Sequence, residues 1–342
     1  MAIDSFKALA LQVTCSAVNR ARNRTEARSL MQQTLDRLES QIAASLAFIG
    51  PDCRLVVLPE YVLTGFPMGE SVVAWAEKAC LDMDDPLYDS LGQIAQKHNI
   101  FLAGNAYELD PNFPDLYFQS CFTIAPTGSL VLRYRRLNSM FAPTPHDVWE
   151  RYLDCYGLDG AFPVAKTAIG NLAAVASDEI LFPEVARCLA LRGAEIFLHP
   201  TSEIYGKGRS PKDIAKIARA IENSAYVISA NTAGIANTNI PSSSTDGGSQ
   251  IVDYRGLVLA ETGAGESMAA FADIDLAASR RFRRQLGLNN LLARQRPELY
   301  ADCYRQARIY PPNTMLEGKV ERSHFRQTQQ ETIERLDELG MI

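Results

Sequence analysis

The chain has 342 residues, 47% apolar and 22% charged, the composition of a soluble globular protein. A formal charge of −6 and a pI near 5.4 argue against a nucleic-acid surface, which needs a clustered basic face. No apolar run reaches the roughly 18 residues of a membrane span, so neither nucleic acid nor membrane is expected as a partner.

The start, MAIDSFKALALQV, carries Asp4 and runs directly into a strand-like stretch, without the basic start and small-residue cleavage site of a secretory leader. Short apolar runs then alternate with amphipathic segments. Strands are predicted at 8–13, 54–60, 100–109, 117–125, 129–136, 172–177, 194–200, 225–234, 249–256, 257–262 and 269–276. Helices are predicted at 24–48, where Leu30, Leu35, Leu38, Ile42 and Leu46 share one side, and at 85–98, 183–193 and 211–224. Pro183 suits a helix start and Gly193 a helix stop. APTGSL at 125–130 and DYRGL at 253–257 read as hairpin turns, so the sheet is mixed. Helices on some connections and hairpins on others imply one layered α/β domain, with room for two stacked sheets. Beyond about 286 the chain is polar and aromatic, a segment laid over its own domain or a partner subunit. The basic run SRRFRRQ at 279–285 reads as a solvated helix face.

Seven cysteines, at 15, 53, 80, 121, 155, 188 and 303, form no C-x-x-C. Their odd count and scattered spacing indicate reduced thiols rather than a disulfide framework or zinc site. The four histidines stand apart. A cytoplasmic protein with no metal and no cofactor is expected.

Three stretches could carry chemistry. In VVLPEYVLTGFP (56–67), Glu60 follows a buried strand, where α/β folds place ligand crevices. Such a carboxylate, partly desolvated, can act as a general base; the plain alternative is a surface Glu. In RYRRLN (133–138), alternation sends Arg133 and Arg135 one way and Tyr134 and Arg136 the other. An Arg facing a crevice could bind a carboxylate or oxyanion, although charge at a strand end also serves solubility. In GNLAAVASDEILFPEVAR (170–187), a small-residue strand runs into Ser177, Asp178 and Glu179 ahead of a helix. A nucleophile there gains exposure and backbone donors for an oxyanion, whereas mere helix capping is the plainer role. Ser177 lacks the flanking glycines of a G-x-S-x-G elbow.

Together and in this order, these segments, with ARAIENSAYVISANTAG and GGSQIVDYRGLVLAE, resemble the nitrilase superfamily of carbon–nitrogen hydrolases over about residues 8–300. The resemblance implies a four-layer αββα sandwich of two mixed sheets, with a hydrolase domain over 1–286 and a C-terminal extension over 287–342. It also implies a homodimer or higher homo-oligomer. That family uses a Glu base, a Lys that stabilises the tetrahedral intermediate, a Cys nucleophile and often a second Glu. Position by position, these fall on Glu60, Arg136, Ser177 and, within APTPHDVWERY, Asp147. Three of the four differ from the family's residue types. Tyr61, Asp178 and Glu179, with Asp147, are expected to line the substrate.

The changes bear on mechanism. Ser is far less acidic than Cys and needs an efficient base, and Arg keeps its proton, so thioimidate chemistry on a nitrile is not expected. Of the other thiols, Cys121, Cys155 and Cys188 could stand in as nucleophile, but a free Cys is ordinarily a small buried hydrophobe. Three functions remain open: an amide, acyl or amidine hydrolase built on Glu60, Arg136 and Ser177; a non-catalytic binding or scaffolding member; or a lyase, cyclase or hydratase using Glu60 and Asp147. The ligand is a small molecule, and Arg136 would suit one bearing a carboxylate.

Overall fold

A computed structural model describes residues 3–342 except 205, 207, 308 and 317–319. Strand β1 (Ser5–Ala10) precedes the two-residue β2 (Cys15–Ser16), helix α1 (Arg24–Ile49) and β3 (Cys53–Val57). Helices α2 (Val72–Ala79) and α3 (Pro86–His98) lead to β4 (Phe101–Leu109), β5 (Tyr117–Ile124) and β6 (Leu130–Arg135). Helix α4 (Trp149–Ala161), strands β7 (Ala165–Thr167) and β8 (Gly170–Ala174), α5 (Pro183–Leu191), β9 (Ile196–Pro200) and α6 (Pro211–Asn223) follow. Strands β10 (Tyr226–Ala230), β11 (Ile235–Ala236), β12 (Gln250–Val252), β13 (Val258–Glu261) and β14 (Phe271–Asp275) complete the sheets. Helices α7 (Leu276–Arg284), α8 (Glu298–Gln306) and α9 (Arg322–Glu338) close the described chain.

Two six-stranded mixed sheets run β14-β1-β3-β4-β5-β6 and β13-β12-β10-β9-β8-β7. Each has a parallel centre and antiparallel flanks, as the two hairpin turns require. The central strands read as unbroken apolar runs because both of their faces are covered. Ala8, Ala10, Leu55 and Val57 enter the core between the sheets, while Leu9, Leu11, Val56 and Leu58 enter the core beneath α1, α2 and α3. Helices α5 and α6 cover the second sheet through Val185, Leu189, Ala215 and Ala220. The architecture is therefore helix, sheet, sheet, helix, the αββα sandwich that the resemblance implied.

Helix α1 begins where Asn23 Oδ1 accepts the Glu26 N–H at 3.0 Å and ends at Gly50, whose φ of 102° few other residues tolerate. Its buried line is Ala27, Met31, Leu35, Leu38 and Ile42, with Leu30 and Leu46 at the margin.

Some segments depart from the sequence reading. The helices α2 and α4 lie in stretches for which the sequence predicted no helix. The tail contains α8 and α9 rather than purely irregular chain, and Met315 and Phe325 enter the first core. It lies over its own domain: Arg322 Nε donates to the Glu70 carbonyl and Nη2 to Tyr117 Oη, both at 2.9 Å. Among the described residues, no helix is long and apolar enough to cross a membrane.

Leu38 is fully buried under the first sheet. Leu38→Ala should lower stability by about 2–5 kcal/mol, read as a shift in the urea unfolding midpoint with unchanged slope.

Candidate active site

The two sheets bring the ends of β3, β6, β8 and β9 together, and the site grows from the residues just past those ends. Beyond β3, the Leu58 N–H donates to the Ala103 carbonyl at 2.8 Å, and the Glu60 N–H crosses to the Thr201 carbonyl of the other sheet at 3.3 Å. Glu60 is fully buried. Its Oε1 accepts Gln119 Nε2 at 2.6 Å and Arg136 Nη1 at 3.4 Å. Its Oε2, also buried, has no donor among the described residues.

Arg136 follows β6 and keeps that strand's register through its N–H on the Gln119 carbonyl. Nη1 donates to Gln119 Oε1 at 2.7 Å and Nε to the Asn138 carbonyl at 2.7 Å, while Nη2 is paired with Asp178. Burial opposes its charge, but the Glu60 carboxylate foremost holds the guanidinium above its ordinary value. The Asp178 side chain, 38% exposed, is where this cluster reaches solvent. It lines a groove of about 1270 Å³ with Leu137 and Asn138 on one wall and Tyr304, Tyr310 and Phe325 of the tail on the other.

Ser177 leaves β8 with φ 50°, a left-handed backbone that is strained for a residue with a Cβ. A hydrogen bond fixes it: His199 Nε2 donates to the Ser177 carbonyl at 2.7 Å. A carbonyl only accepts, so Nε2 carries the proton and Nδ1 accepts the Ser229 hydroxyl at 2.8 Å. Burial foremost, with the Lys216 ammonium, drives His199 well below the usual imidazole range and keeps it neutral. At Oγ, Ser177 meets Lys212 Nζ at 3.4 Å, and that amine also reaches Thr201 Oγ1 at 3.2 Å.

Glu179, expected against substrate, instead fastens two loops together. It is fully buried and accepts the N–H groups of Leu137 at 2.7 Å and Asn138 at 2.9 Å, and the Tyr134 hydroxyl at 2.8 Å. Burial pushes its carboxyl up, while Arg136 and these donors pull it back. With its oxygens occupied, it positions the Arg136 and Ser177 loops rather than facing a ligand.

Asp147 is likewise engaged elsewhere. Oδ2 accepts the Thr144 N–H at 2.8 Å and its hydroxyl at 2.7 Å, and Oδ1 accepts Thr314 at 3.0 Å. It closes the turn before α4 and touches the same groove as Asp178. Among the described residues, no hydrogen bond joins it to Glu60, Arg136 or Ser177. Tyr61, with φ 61°, turns the chain after Glu60 and stacks on Tyr107 with centroids 6.1 Å apart. Burial foremost, then the Glu60 carboxylate, pushes its phenol up, so it stays neutral.

The structure thus puts Arg136 in direct contact with both Glu60 and Asp178, and Ser177 is beside Asp178 in the chain. Of the thiols weighed earlier, Cys121 is buried against Asn105 Nδ2 at 3.6 Å, Cys155 is exposed on α4 and Cys188 is half-buried on α5. Cys15 is the thiol that contacts the site, donating to the Glu60 carbonyl at 3.3 Å, and burial foremost keeps it protonated. Among the described residues, no group of three or more His, Cys, Asp or Glu side chains is placed to hold a metal ion.

The family model described as carbon-nitrogen hydrolase matches residues 17–284. The chain belongs to the carbon-nitrogen hydrolase family. Within this nitrilase superfamily, it is 24% identical to the omega-amidase of Mus musculus over 298 residues, 87% of this chain and 98% of that protein. It is 25% identical to the "Probable nitrilase" of Schizosaccharomyces pombe over 190 residues, 54% of this chain but only 63% of that protein, under two thirds of its length. The fold matches the crystal structure of a carbon-nitrogen hydrolase from Helicobacter pylori with TM-score 0.67 and 22% identity, covering 88% of this chain and 99% of that one.

For a carbon-nitrogen hydrolase, the sequence reading missed three neighbours of the site: Gln119, His199 and Lys212. Gln119 and His199 are polar residues inside apolar strands, which is the signal they offered. Lys212 stands in the first turn of a helix, where the dipole disfavours a cation.

Unfolded His199 takes a proton near pH 6.5, whereas the folded residue resists it far longer, so the unfolded state binds more protons below that pH. Stability should therefore fall as pH drops from about 7 to 5, His199 contributing up to about 2 kcal/mol of the loss. Denaturant midpoints for wild type and His199→Gln across that range check this: the variant should lose less.

Proposed function

We propose that this family member hydrolyses a small amide or a related acyl compound through Ser177, with Glu60 and Arg136 as the groups that hold the reacting carbon. The observation that carries the reading is Glu60 Oε2, a buried carboxylate oxygen with no donor beside a fixed guanidinium. A buried acceptor without a partner is costly, and an amide N–H supplies the missing donor. Arg136, charged at every relevant pH, braces Glu60 and keeps the charge pattern of the pocket constant. Ser177, held in a strained backbone by His199, presents Oγ as the nucleophile. Attack forms an acyl-serine and releases the amine, and water then frees the acid.

Arg136 already pairs with both Glu60 and Asp178, so it is less available to a substrate carboxylate than the sequence suggested. A neutral amide whose acyl group lies along the groove beside Asp178 fits better. Leu286 and Leu288, fully or largely open in the single chain, suit burial in a homodimer. A second reading, ligand binding without turnover, is favoured by the Arg136–Asp178 pair, which ties up a guanidinium at the mouth of the site.

Ammonia release from short aliphatic primary amides tests the choice. Wild type should release ammonia, Ser177→Ala should lose kcat by on the order of 10³ or more, and Glu60→Gln should raise KM. Wild type that binds the amide calorimetrically yet releases no ammonia would overturn hydrolysis in favour of the binding reading.

A further inference from the structure

We propose that Lys212 is the catalytic base of this site: its amine, presented from the first turn of α6, takes the proton from Ser177 Oγ. The proposal rests on Ser177 being the nucleophile, and it names the group that makes a serine serviceable where the family uses a thiol.

The other candidates do not reach Oγ or are already engaged. Glu60 Oε1 is bonded to Gln119 and Arg136, and among the described residues neither Glu60 oxygen is hydrogen-bonded to Ser177; Asp178 is paired with Arg136, and Glu179 is bonded to backbone N–H groups. The His199 ring spans the Ser177 carbonyl and Ser229, so neither nitrogen faces Oγ. Arg136 cannot give up its proton. Among the described residues, Lys212 is the ionisable side chain in hydrogen-bond contact with Ser177 Oγ, at 3.4 Å. Catalytic contacts commonly shorten from such a distance in the substrate complex.

A comparison within α6 separates base from structural cation. Lys216, one turn later, is completely buried with Glu203 at 2.7 Å and Asp213 at 3.0 Å, an arrangement that holds an ammonium. Lys212 has no carboxylate oxygen within 4.0 Å among the described residues; its neighbours are the hydroxyls of Ser177 and Thr201. Four charged groups face it: Glu60 and Glu203 favour the ammonium, Lys216 and Arg136 oppose it. Withdrawal from water is the largest influence and leaves the amine below the ordinary lysine range, and the positive end of α6 acts in the same direction.

The proton balance closes. Neutral Lys212 Nζ accepts the Oγ proton as the Oγ–C bond forms and the carbonyl electron pair moves to oxygen. Collapse breaks the C–N bond, and the Lys212 ammonium returns the proton to the leaving nitrogen. Water then gives a proton to Nζ as it attacks the ester. The Oγ–C bond breaks, Oγ regains a proton, and the acid departs.

The test uses p-nitrophenyl acetate with full-length wild type, Ser177→Ala, Lys212→Arg, Lys212→Met and Lys212→Ala, each checked for an unaltered unfolding midpoint. Acetylation of the Ser177 peptide is followed by mass spectrometry and the p-nitrophenolate burst by absorbance. Wild type should acetylate Ser177 at a rate that rises with pH to a plateau, with a midpoint below the ordinary lysine value of about 10.4. Lys212→Met and Lys212→Arg should both slow acetylation by about 100-fold or more, since neither can accept a proton near neutral pH. Added methylamine should restore part of the rate to Lys212→Ala. Should Lys212→Arg acetylate Ser177 at the wild-type rate, a positive charge suffices and the base role is overturned while the serine nucleophile stands. An absent Ser177 adduct in wild type would overturn the nucleophile itself, and this proposal with it.

Discussion

A guanidinium and a carboxylate, both removed from water, set the terms for the rest of this molecule. Desolvating each ion costs several kcal/mol even after relaxation, and only close pairing with further hydrogen bonds offsets it. Arg136 and Glu60 meet that requirement through Gln119, which donates to Glu60 and accepts from Arg136, and through the Asn138 carbonyl. The consequence is topological. Glu60 leaves β3, Arg136 leaves β6 and Gln119 lies on β5, so the first sheet must hold these strands in one register for the charges to meet. Glu179 then fastens the loop after β6 to the loop after β8, the loop that carries Ser177. The stability of the pair and the position of Ser177 are therefore two results of one arrangement.

That arrangement also bears on the chemistry proposed for the site. The Arg at 136 satisfies more acceptors than a lysine could, bridging Glu60, Gln119, Asn138 and Asp178, but it gives up any part in proton transfer. With an alcohol as the proposed nucleophile, attack requires a stronger base than a thiol needs. The amine that α6 brings to Ser177 Oγ is the group proposed to answer both losses. Buried Glu60 Oε2 accepts no hydrogen bond from the described residues. The fold supplies the pocket; the identity of the chemistry lies in these few contacts.

The fold was largely legible in the residues because the central strands are buried on both faces and so stand out as continuous Val, Ile, Leu and Ala runs. Gly128 and Gly256, with φ of 84° and 88°, marked the hairpins that make the sheets mixed. Short or polar elements were not legible. Strand β7 has three residues, too few for periodicity, and α9 is built mainly of Arg, Gln, Thr and Glu, burying Phe325 with Thr328 and Thr332. In the candidate site, Glu60, Arg136 and Ser177 stood out because each follows a strand end, and the structure brings Glu60 and Arg136 into contact. Asp147 and Glu179 were given the wrong surroundings, since a carboxylate that accepts backbone N–H groups looks in sequence like one that awaits a ligand. Lys212 escaped notice for another reason: it lies 35 positions from Ser177, and nothing local links them.

The central claim is that Glu60 and Arg136 depend on each other in the folded protein. A double-mutant cycle on unfolding free energy, with Glu60→Gln, Arg136→Met and the combined variant, measures that dependence directly. Breaking the pair from either side should cost about 3–5 kcal/mol, because it strands a buried charge, while the combined variant should recover much of the loss. Single effects that add to within about 0.5 kcal/mol in the double variant would mean the two charges do not interact, and would contradict the account.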